Sequence, residues 1–266
     1  MPIQFKTNNG YMSLDAWLLA NVIQLCTVEF CDLYVSADQR YRLGKATGRD
    51  GKTQYLLFDP TGRQYDQMTQ AARSCTANIA EGYSRHQTST ATEMQLLDVA
   101  RASLEELKGD YYFFLLKAHT QPLARNSQEY VDINAVNVVS PTYHYDWDVE
   151  SAIFIDELKK QFQQWTSDSI SYARLLYVLC SRCAKMVERL LANRLEQFKQ
   201  QGGFTENLTK ERVATQTQQA LDLGAPTCPL CGKPMIKRYY KRGTKAGQSF
   251  WGCSAYPACE GTRRMG

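Results

Sequence analysis

Histidine is scarce in this chain, and long hydrophobic runs are missing. The three histidines among its 266 residues, His86, His119 and His144, lie in separate segments, so the sequence indicates no histidine-based catalytic or metal site. No apolar run is long enough to cross a bilayer, and residues 1–10 lack the charged and then apolar pattern of a signal peptide. We therefore predict a cytoplasmic protein without a membrane partner.

Recognisable enzyme motifs are missing as well. The sequence contains neither GxxxxGKS nor GxxxxGKT, so its glycines between residues 44 and 62 are not a phosphate-binding loop. No nucleophile is paired with a base at a recognisable spacing. We predict that the chain is not an enzyme and has no catalytic residue.

The nine cysteines are odd in number, and their spacing is irregular outside the last forty residues. This pattern does not fit the disulfide framework of a secreted protein, and in a reducing compartment paired cysteines favour metal binding. Cys180 and Cys183 form one pair, but they lie inside a predicted helix without a second Cys or His pair nearby. We interpret these two as buried thiols rather than as redox or metal-binding groups.

Residues 65–116 predict two long helices joined as a hairpin, because apolar residues recur three and four positions apart. The apolar side of the first helix consists of Tyr65, Met68, Ala72, Cys75 and Ile79, and that of the second of Leu97, Ala100, Leu104, Leu107, Tyr111 and Phe114. We predict that Gly82 ends the first helix in the left-handed conformation. Ser89 or Thr90, followed by Glu93, is predicted to cap the second.

Two further long helices are predicted beside this hairpin. One spans residues 11–38 with Ser13 as its cap, and its wide apolar surface suits either a central helix or a contact with another subunit. Residues 151–165 and 168–200 form two helices or one kinked helix. The sequence therefore predicts an all-α four-helix bundle over residues 1–200.

Two insertions, at 39–62 and 120–150, interrupt the bundle. In the first, residues 41–43 can pair with 55–58 around a turn at 49–52. The second ends in an aromatic run at 143–148, whose rings either stack on unpaired bases or, as we favour, pack against the flank of the bundle. A polar segment at 201–224 predicts a helical linker.

Residues 225–266 carry the strongest chemical signal. A CPLC sequence is followed after twenty-one residues by CSAYPAC, so two cysteine pairs lie on separate turns. Four thiolates complete a tetrahedron around zinc at about 2.3 Å and leave no open position for water, which indicates a structural site rather than a catalytic one. The alternative is a set of reactive or disulfide-forming cysteines. We predict a small β zinc ribbon with one Zn²⁺ held by Cys228, Cys231, Cys253 and Cys259.

The same tail is strongly basic. Eight Lys or Arg against Glu260 give it a net charge of +7, so the preceding 224 residues must sum to −3 for the chain to reach +4. This density of positive charge indicates a polyanionic partner. The alternative is a basic tail that only aids solubility.

The helical part resembles a known family. ARSCTANIAEGYSR at 72–85 and DVARASLEEL at 98–107 are similar to the signature of a bacterial four-helix-bundle family. This family includes proteins encoded in ribosomal RNA intervening sequences and the accessory variability protein of diversity-generating retroelements. The resemblance implies an up-and-down bundle and a homo-oligomeric ring, a pentamer. From the retroelement member, it also implies binding to nucleic acid and to a reverse transcriptase.

The tail resembles the C-terminal zinc ribbons of type IA DNA topoisomerases, through FWGCS at 250–254 and the YP that precedes the last cysteine. Those ribbons bind single-stranded DNA through aromatic and basic residues. The matching aromatic positions are Tyr239, Tyr240, Phe250, Trp251 and Tyr256, and the basic ones are Lys237, Arg238, Lys241, Arg242, Lys245, Arg263 and Arg264. The cleavage domains of a topoisomerase are absent from the sequence, so the resemblance does not imply catalysis.

Together these features predict a non-enzymatic nucleic-acid-binding protein. An oligomeric helical bundle would present several zinc ribbons to single-stranded DNA or RNA, and multivalency would supply affinity. The alternative is a scaffold for protein–protein interactions, or an accessory subunit of a nucleic-acid enzyme such as a reverse transcriptase.

Overall fold

The computed structural model describes residues 9–47, 53–85, 88–222 and 224–265. The chain divides into two compact units, Met1–Gln201 and Gly202–Gly266, which we call the helical unit and the C-terminal unit. Most of the chain is helical, and a small antiparallel sheet lies near its C-terminus.

Each unit has its own set of secondary-structure elements. In the helical unit the α-helices are α1 Asp15–Tyr34, α2 Arg63–Arg85, α3 Thr90–Lys117, α4 Gln128–Ala135, α5 Trp147–Gln161 and α6 Ser169–Gln201. Its short strands are β1 Val35–Ser36, β2 Lys45–Thr47, β3 Thr53–Tyr55 and β4 Leu57–Phe58. The C-terminal unit contains α7 Phe204–Asp222, β5 Met235–Tyr239, β6 Ser249–Cys253 and β7 Thr262–Arg264.

Helix α1 packs against α2, α3 and α6 on its buried side. The ring of Phe30 contacts Tyr111 and Phe114 of α3 and Tyr172 of α6, with centroid distances of 5.3, 4.9 and 5.7 Å. All three contacts are edge-to-face, the geometry that aromatic quadrupoles favour. Of the two possibilities left open by the sequence, the central position is therefore observed, although Leu25 and Leu33 remain about half exposed.

Two expectations for α1 are wrong. The helix begins at Asp15 without a side-chain cap, because its N-cap residue is Leu14; the Ser13 hydroxyl donates to Gly10 O at 2.8 Å. By length and composition the helix is also long and apolar enough to cross a membrane, whereas the sequence suggested no such run. Of that apolar stretch, 56% is buried inside the fold, and a core helix meets the same criteria of length and composition.

Helices α2 and α3 pack against each other, but Gly82 does not end α2. The helix continues to Arg85, and Gly82 lies buried within it. A Cβ at this position would meet the backbone oxygen of Glu93 at 3.3 Å, so the glycine allows the start of α3 to approach closely. The predicted cap of α3 is confirmed, since Ser89 Oγ accepts from the Thr92 N–H at 3.2 Å.

Each of the four long helices packs against at least two of the others. Helix α1 packs against α2 and α6, and α3 packs against the same two helices. Polar contacts also join these helices. For example, Tyr111 OH of α3 donates to Thr27 Oγ1 of α1 at 2.8 Å, and Arg194 Nε of α6 pairs with the buried Glu93 of α3 at 2.7 Å. One continuous cluster of buried apolar side chains fills the unit.

Both insertions contact the helices. In the first, β2 pairs with β3 and β1 with β4. Residues 41–43, for which the sequence predicts pairing, lie instead in a 3-10 helix that the left-handed Gly44 ends; the turn at 49–52 lies outside the described residues. In the second, Tyr143 is buried, donates to Met12 O at 3.0 Å and contacts the Trp147 ring. This aromatic pair therefore packs against the helical unit, the alternative that the sequence analysis favoured.

Helix α7 belongs to the same compact unit as the C-terminal strands. It packs against β5, and its Ala220 is buried. The sequence predicts a helical linker at 201–224. The segment is helical, but its contact with β5 means that it is not a free spacer.

Candidate metal centre and nucleic-acid surface

Four cysteine side chains converge in the C-terminal unit. The Sγ atoms of Cys228, Cys231, Cys253 and Cys259 all lie within 4.8 Å of one another. The Cys228–Cys259 and Cys231–Cys253 sulfur pairs are 3.8 and 3.4 Å apart. A tetrahedron with Zn–S bonds of about 2.3 Å has edges of about 3.8 Å, whereas a disulfide requires about 2.05 Å. The four thiols fit one structural Zn²⁺ and not a disulfide.

Two turns and the end of a strand position these ligands. In the first turn the Gly232 N–H donates to Cys228 O at 2.9 Å, and the Cys228 N–H donates to Lys233 O at 2.8 Å. Gly232 has φ of 70°, a left-handed conformation that glycine adopts without steric cost. Cys253 ends β6, and Cys259 lies in the turn before β7. The sheet thus joins the two halves of the metal centre.

Backbone N–H groups favour the thiolate form of one ligand. The N–H groups of Leu230 and Cys231 hydrogen-bond to Cys228 and lower the pKa of its thiol to about 7. Burial raises the pKa of Cys253 to about 12. A bound Zn²⁺ would stabilise all four thiolates, so we expect metal binding and folding of the ribbon to be coupled.

Gly261 also belongs to the metal centre, although the sequence analysis did not identify it. Gly261 is buried, and a Cβ on it would collide with Cys228 Sγ and lie 3.6 Å from Cys259 Sγ. Its carbonyl accepts from the Cys253 N–H at 2.9 Å. The only signal in the sequence is its place two residues after the last cysteine.

The strand register places basic and aromatic residues of the sheet in two rows that cross the three strands. Each row consists of a cation, an aromatic ring and a second cation. One row is Lys237, Trp251 and Arg263, and the other is Arg238, Phe250 and Arg264. Successive side chains of a strand point to opposite faces, so one row lies on each face. We call them the zinc face, which also carries Met235 and Cys253, and the open face.

On the zinc face the aromatic ring has a structural role. Trp251 packs against the buried cluster of Cys228, Met235 and Cys253. The Lys237 ammonium lies 5.7 Å from the centre of the Tyr239 ring. Trp251, which the sequence predicts to contact nucleic acid, therefore belongs at least in part to the core of the ribbon.

On the open face two aromatic rings contact each other, and a third ring lies beside an arginine. The Tyr240 and Phe250 rings stack with centroids 4.4 Å apart, and the Arg238 guanidinium lies 5.2 Å from the centre of the Tyr256 ring. Tyr256 remains 57% exposed. Gly252 leaves room for this arrangement, because a Cβ there would come within 2.6 Å of Arg238 Cδ.

The remaining predicted contacts are cations in the turn between β5 and β6 and on both faces of β7. Lys241, Arg242 and Lys245 lie in the turn between β5 and β6, and all three are exposed. The Lys245 ammonium lies 6.0 Å from the centre of the Tyr240 ring. Arg263 and Arg264 on β7 are exposed as well. The structure therefore places the predicted aromatic and basic residues on one small sheet and the turns that follow β5 and β6, but divides them between the two faces of the sheet.

The second cysteine pair is buried, as predicted. Cys180 and Cys183 on α6 are fully buried, and burial raises the pKa of the Cys180 thiol well above its usual value. Cys183 Sγ lies 3.4 Å from Ala16 O. These thiols pack in the core of the helical unit.

One family comparison bears on the tail. The model of the topoisomerase DNA binding C4 zinc finger matches residues 225–265, a stretch that contains the four cysteines and the three strands. The C-terminal residues thus form a zinc ribbon of the topoisomerase type, a type that suggests nucleic-acid binding. Neither a curated protein nor a solved structure matches the chain. The resemblance of the helical unit to the intervening-sequence family stays a prediction.

Proposed function

We propose that the protein binds single-stranded DNA or RNA through its zinc ribbon and has no enzymatic activity of its own. This proposal rests on the open face of the sheet, where aromatic rings alternate with arginines. The sheet belongs to a zinc ribbon of the topoisomerase type. Bases of any sequence can stack on aromatic side chains, and the neighbouring cations can neutralise phosphates. Binding would therefore depend strongly on salt and weakly on sequence.

The helical unit would serve as the platform for assembly. In this proposal α1, α2, α3 and α6 form an up-and-down four-helix bundle of the intervening-sequence type, in a homo-oligomer that the resemblance suggests is a pentamer. Apolar side chains that remain exposed on α1 and α3 support self-association, namely Leu25, Val28, Leu33, Val99, Tyr112, Phe113 and Leu116. Contact with a second copy would remove these side chains from water. We place the assembly in the cytoplasm.

Fluorescence anisotropy with labelled single-stranded DNA, duplex DNA and RNA across a salt series tests the proposal. The zinc-loaded full chain is compared with the chelator-treated full chain and with a chain that ends at Gln201. We expect the zinc-loaded protein to bind single strands with an affinity that falls steeply with salt, and both controls to lose this binding. Absence of binding to all three nucleic acids at low salt would reject the proposal.

A scaffold for protein partners is the second candidate. The exposed apolar side chains of α1 and α3 could equally contact a nucleic-acid enzyme such as a reverse transcriptase. Light scattering separates the two uses of this surface. A monomer at micromolar concentration would favour the scaffold, and a stable oligomer would favour the platform.

A further inference from the structure

A cleft lies within the C-terminal unit, between α7 and the turn that follows β6. Its volume is about 590 Å³, and it is wide open to solvent. Val213 and Ala214 of α7 line one side, and Ala255 and Tyr256 of the ribbon line the other. Uncharged polar residues complete the lining, namely Thr209, Thr217, Gln218 and Ser254. The cleft therefore combines small apolar side chains, polar groups and one aromatic ring.

The charge of the cleft is positive. Lys210 of α7 and Lys233 of the ribbon both line it, and both are exposed. Among the described residues that line the cleft, none is acidic. Two ammonium groups in a lining that contains no carboxylate favour an anionic ligand.

Tyr256 connects this cleft to the open face of the sheet. The Arg238 guanidinium lies over its ring at 5.2 Å, yet 57% of the side chain is exposed. A strand that lies on Phe250 and Tyr240 can therefore continue past Arg238 to Tyr256. The nucleotide at that point would meet an aromatic ring, a mixture of small apolar and polar side chains, and two cations.

We propose that the cleft binds one unpaired nucleobase, stacked on Tyr256, while Lys210 and Lys233 neutralise the adjacent phosphates. An unpaired nucleotide has an apolar base face, hydrogen-bonding base edges and an anionic backbone. These suit the Tyr256 ring, the polar side chains of the lining and the two lysines, respectively. The inference rests on the proposed nucleic-acid binding. It adds a site that the ribbon alone does not possess, because α7 lies outside the residues of the family match.

Filling the cleft tests the inference in the zinc-loaded full chain. Ala214 is exposed on α7, so Ala214→Trp places a large ring in the cleft without entering the core. Gln219→Trp is the matched control, since Gln219 is also exposed and its position five residues on places it across the helix. We expect Ala214→Trp to weaken binding of single-stranded DNA at least about five-fold, and the control to bind like the unmodified protein.

The lysines provide a second readout. Removal of one phosphate contact should reduce the slope of log affinity against log salt by about 0.7 for a single strand. We expect this reduction for Lys210→Gln. Arg212→Gln removes the same charge from α7 at a residue outside the cleft lining and should leave the slope closer to that of the unmodified chain. Equal slopes for the two variants would overturn the proposed phosphate contact.

Photocross-linking locates the base directly. A strand that carries 5-iodouracil is irradiated with the full chain, and the cross-linked peptides are mapped by mass spectrometry. Cross-links to Tyr256 or to α7 support the inference. Cross-links confined to Phe250 and Tyr240, together with undiminished binding by Ala214→Trp, would reject the cleft and leave nucleic-acid binding by the ribbon intact. If the unmodified chain binds no single strand at all, the proposed function itself fails.

Discussion

Gly261 lies where any side chain would collide with a zinc ligand. We predict that Gly261→Ala lowers zinc affinity about ten-fold or more, because its Cβ must displace Cys228 Sγ from the tetrahedron. Competition with a chromogenic chelator measures this affinity, and metal analysis gives the zinc content per chain.

Gly109 supplies the control for that substitution. It lies within α3, and a Cβ there would meet no atom within 4 Å. Gly109→Ala should retain full zinc binding and raise the stability of the helical unit by up to about 1 kcal/mol, because alanine loses less backbone entropy in a helix. If Gly261→Ala bound zinc as tightly as Gly109→Ala does, the close approach of residue 261 to Cys228 Sγ would have no effect on zinc binding.

At the scale of elements, one buried hydrogen bond joins α1 to α3. Tyr111 OH donates to Thr27 Oγ1 at 2.8 Å, and that hydroxyl in turn donates to Ile23 O at 2.7 Å. We predict that Tyr111→Phe lowers the free energy of unfolding by about 1 kcal/mol, because a buried acceptor loses its donor. Denaturant unfolding monitored by circular dichroism measures the difference.

The neighbouring tyrosine provides the comparison. Tyr112 is 44% exposed, so Tyr112→Phe should change the free energy of unfolding by less than about 0.5 kcal/mol. If both substitutions lowered the free energy of unfolding equally, the buried hydrogen bond between α1 and α3 would make no specific contribution to stability.

We expect the adjacent residues Phe250 and Trp251 of β6 to have different roles, one in nucleic-acid binding and the other in zinc retention. Phe250 lies on the open face and Trp251 on the zinc face. We predict that Phe250→Ala weakens binding of single-stranded DNA about five-fold or more while zinc is retained, since one stacking platform is lost. Trp251→Ala should instead weaken zinc retention and thermal stability of the ribbon, because it uncovers the cluster around Met235. The paired measurements are anisotropy and zinc release on heating. The opposite pattern would exchange the roles of the two faces.

At the scale of the whole molecule, assembly should determine affinity for long strands. Leu25 and Leu33 lie on one side of α1 and are 49% and 48% exposed. If this side joins subunits, the double substitution Leu25→Glu and Leu33→Glu should reduce the mass measured by light scattering. It should also weaken binding of long strands about ten-fold or more, because several linked ribbons act at high effective concentration.

A short oligonucleotide is the control for that experiment. A strand of about eight nucleotides engages one ribbon, so its affinity should not change when the assembly is broken. A change with the short strand would indicate damage to the ribbon rather than loss of multivalency. An unmodified chain that is already monomeric would contradict the platform.

Much of the helical architecture could be predicted from local patterns. The apolar repeat that includes Leu104 and Leu107 identified α3, and Ser89 was identified as its cap, because both signals depend on residues within a few positions of one another. The role of Gly82 could not be predicted in this way. Whether a glycine ends a helix or admits a neighbouring helix depends on how closely α3 packs.

The sequence alone determined the zinc ligands, the basic charge of the tail and the existence of the long helices, because each rests on residue type and short-range spacing. Only the tertiary structure decided that Trp251 and Phe250 lie on opposite faces, that Gly261 adjoins Cys228, and that α7 packs beside the ribbon to form a cleft. These features depend on register and on contacts between segments far apart in the chain. Their energetics are set by packing, which no local pattern records.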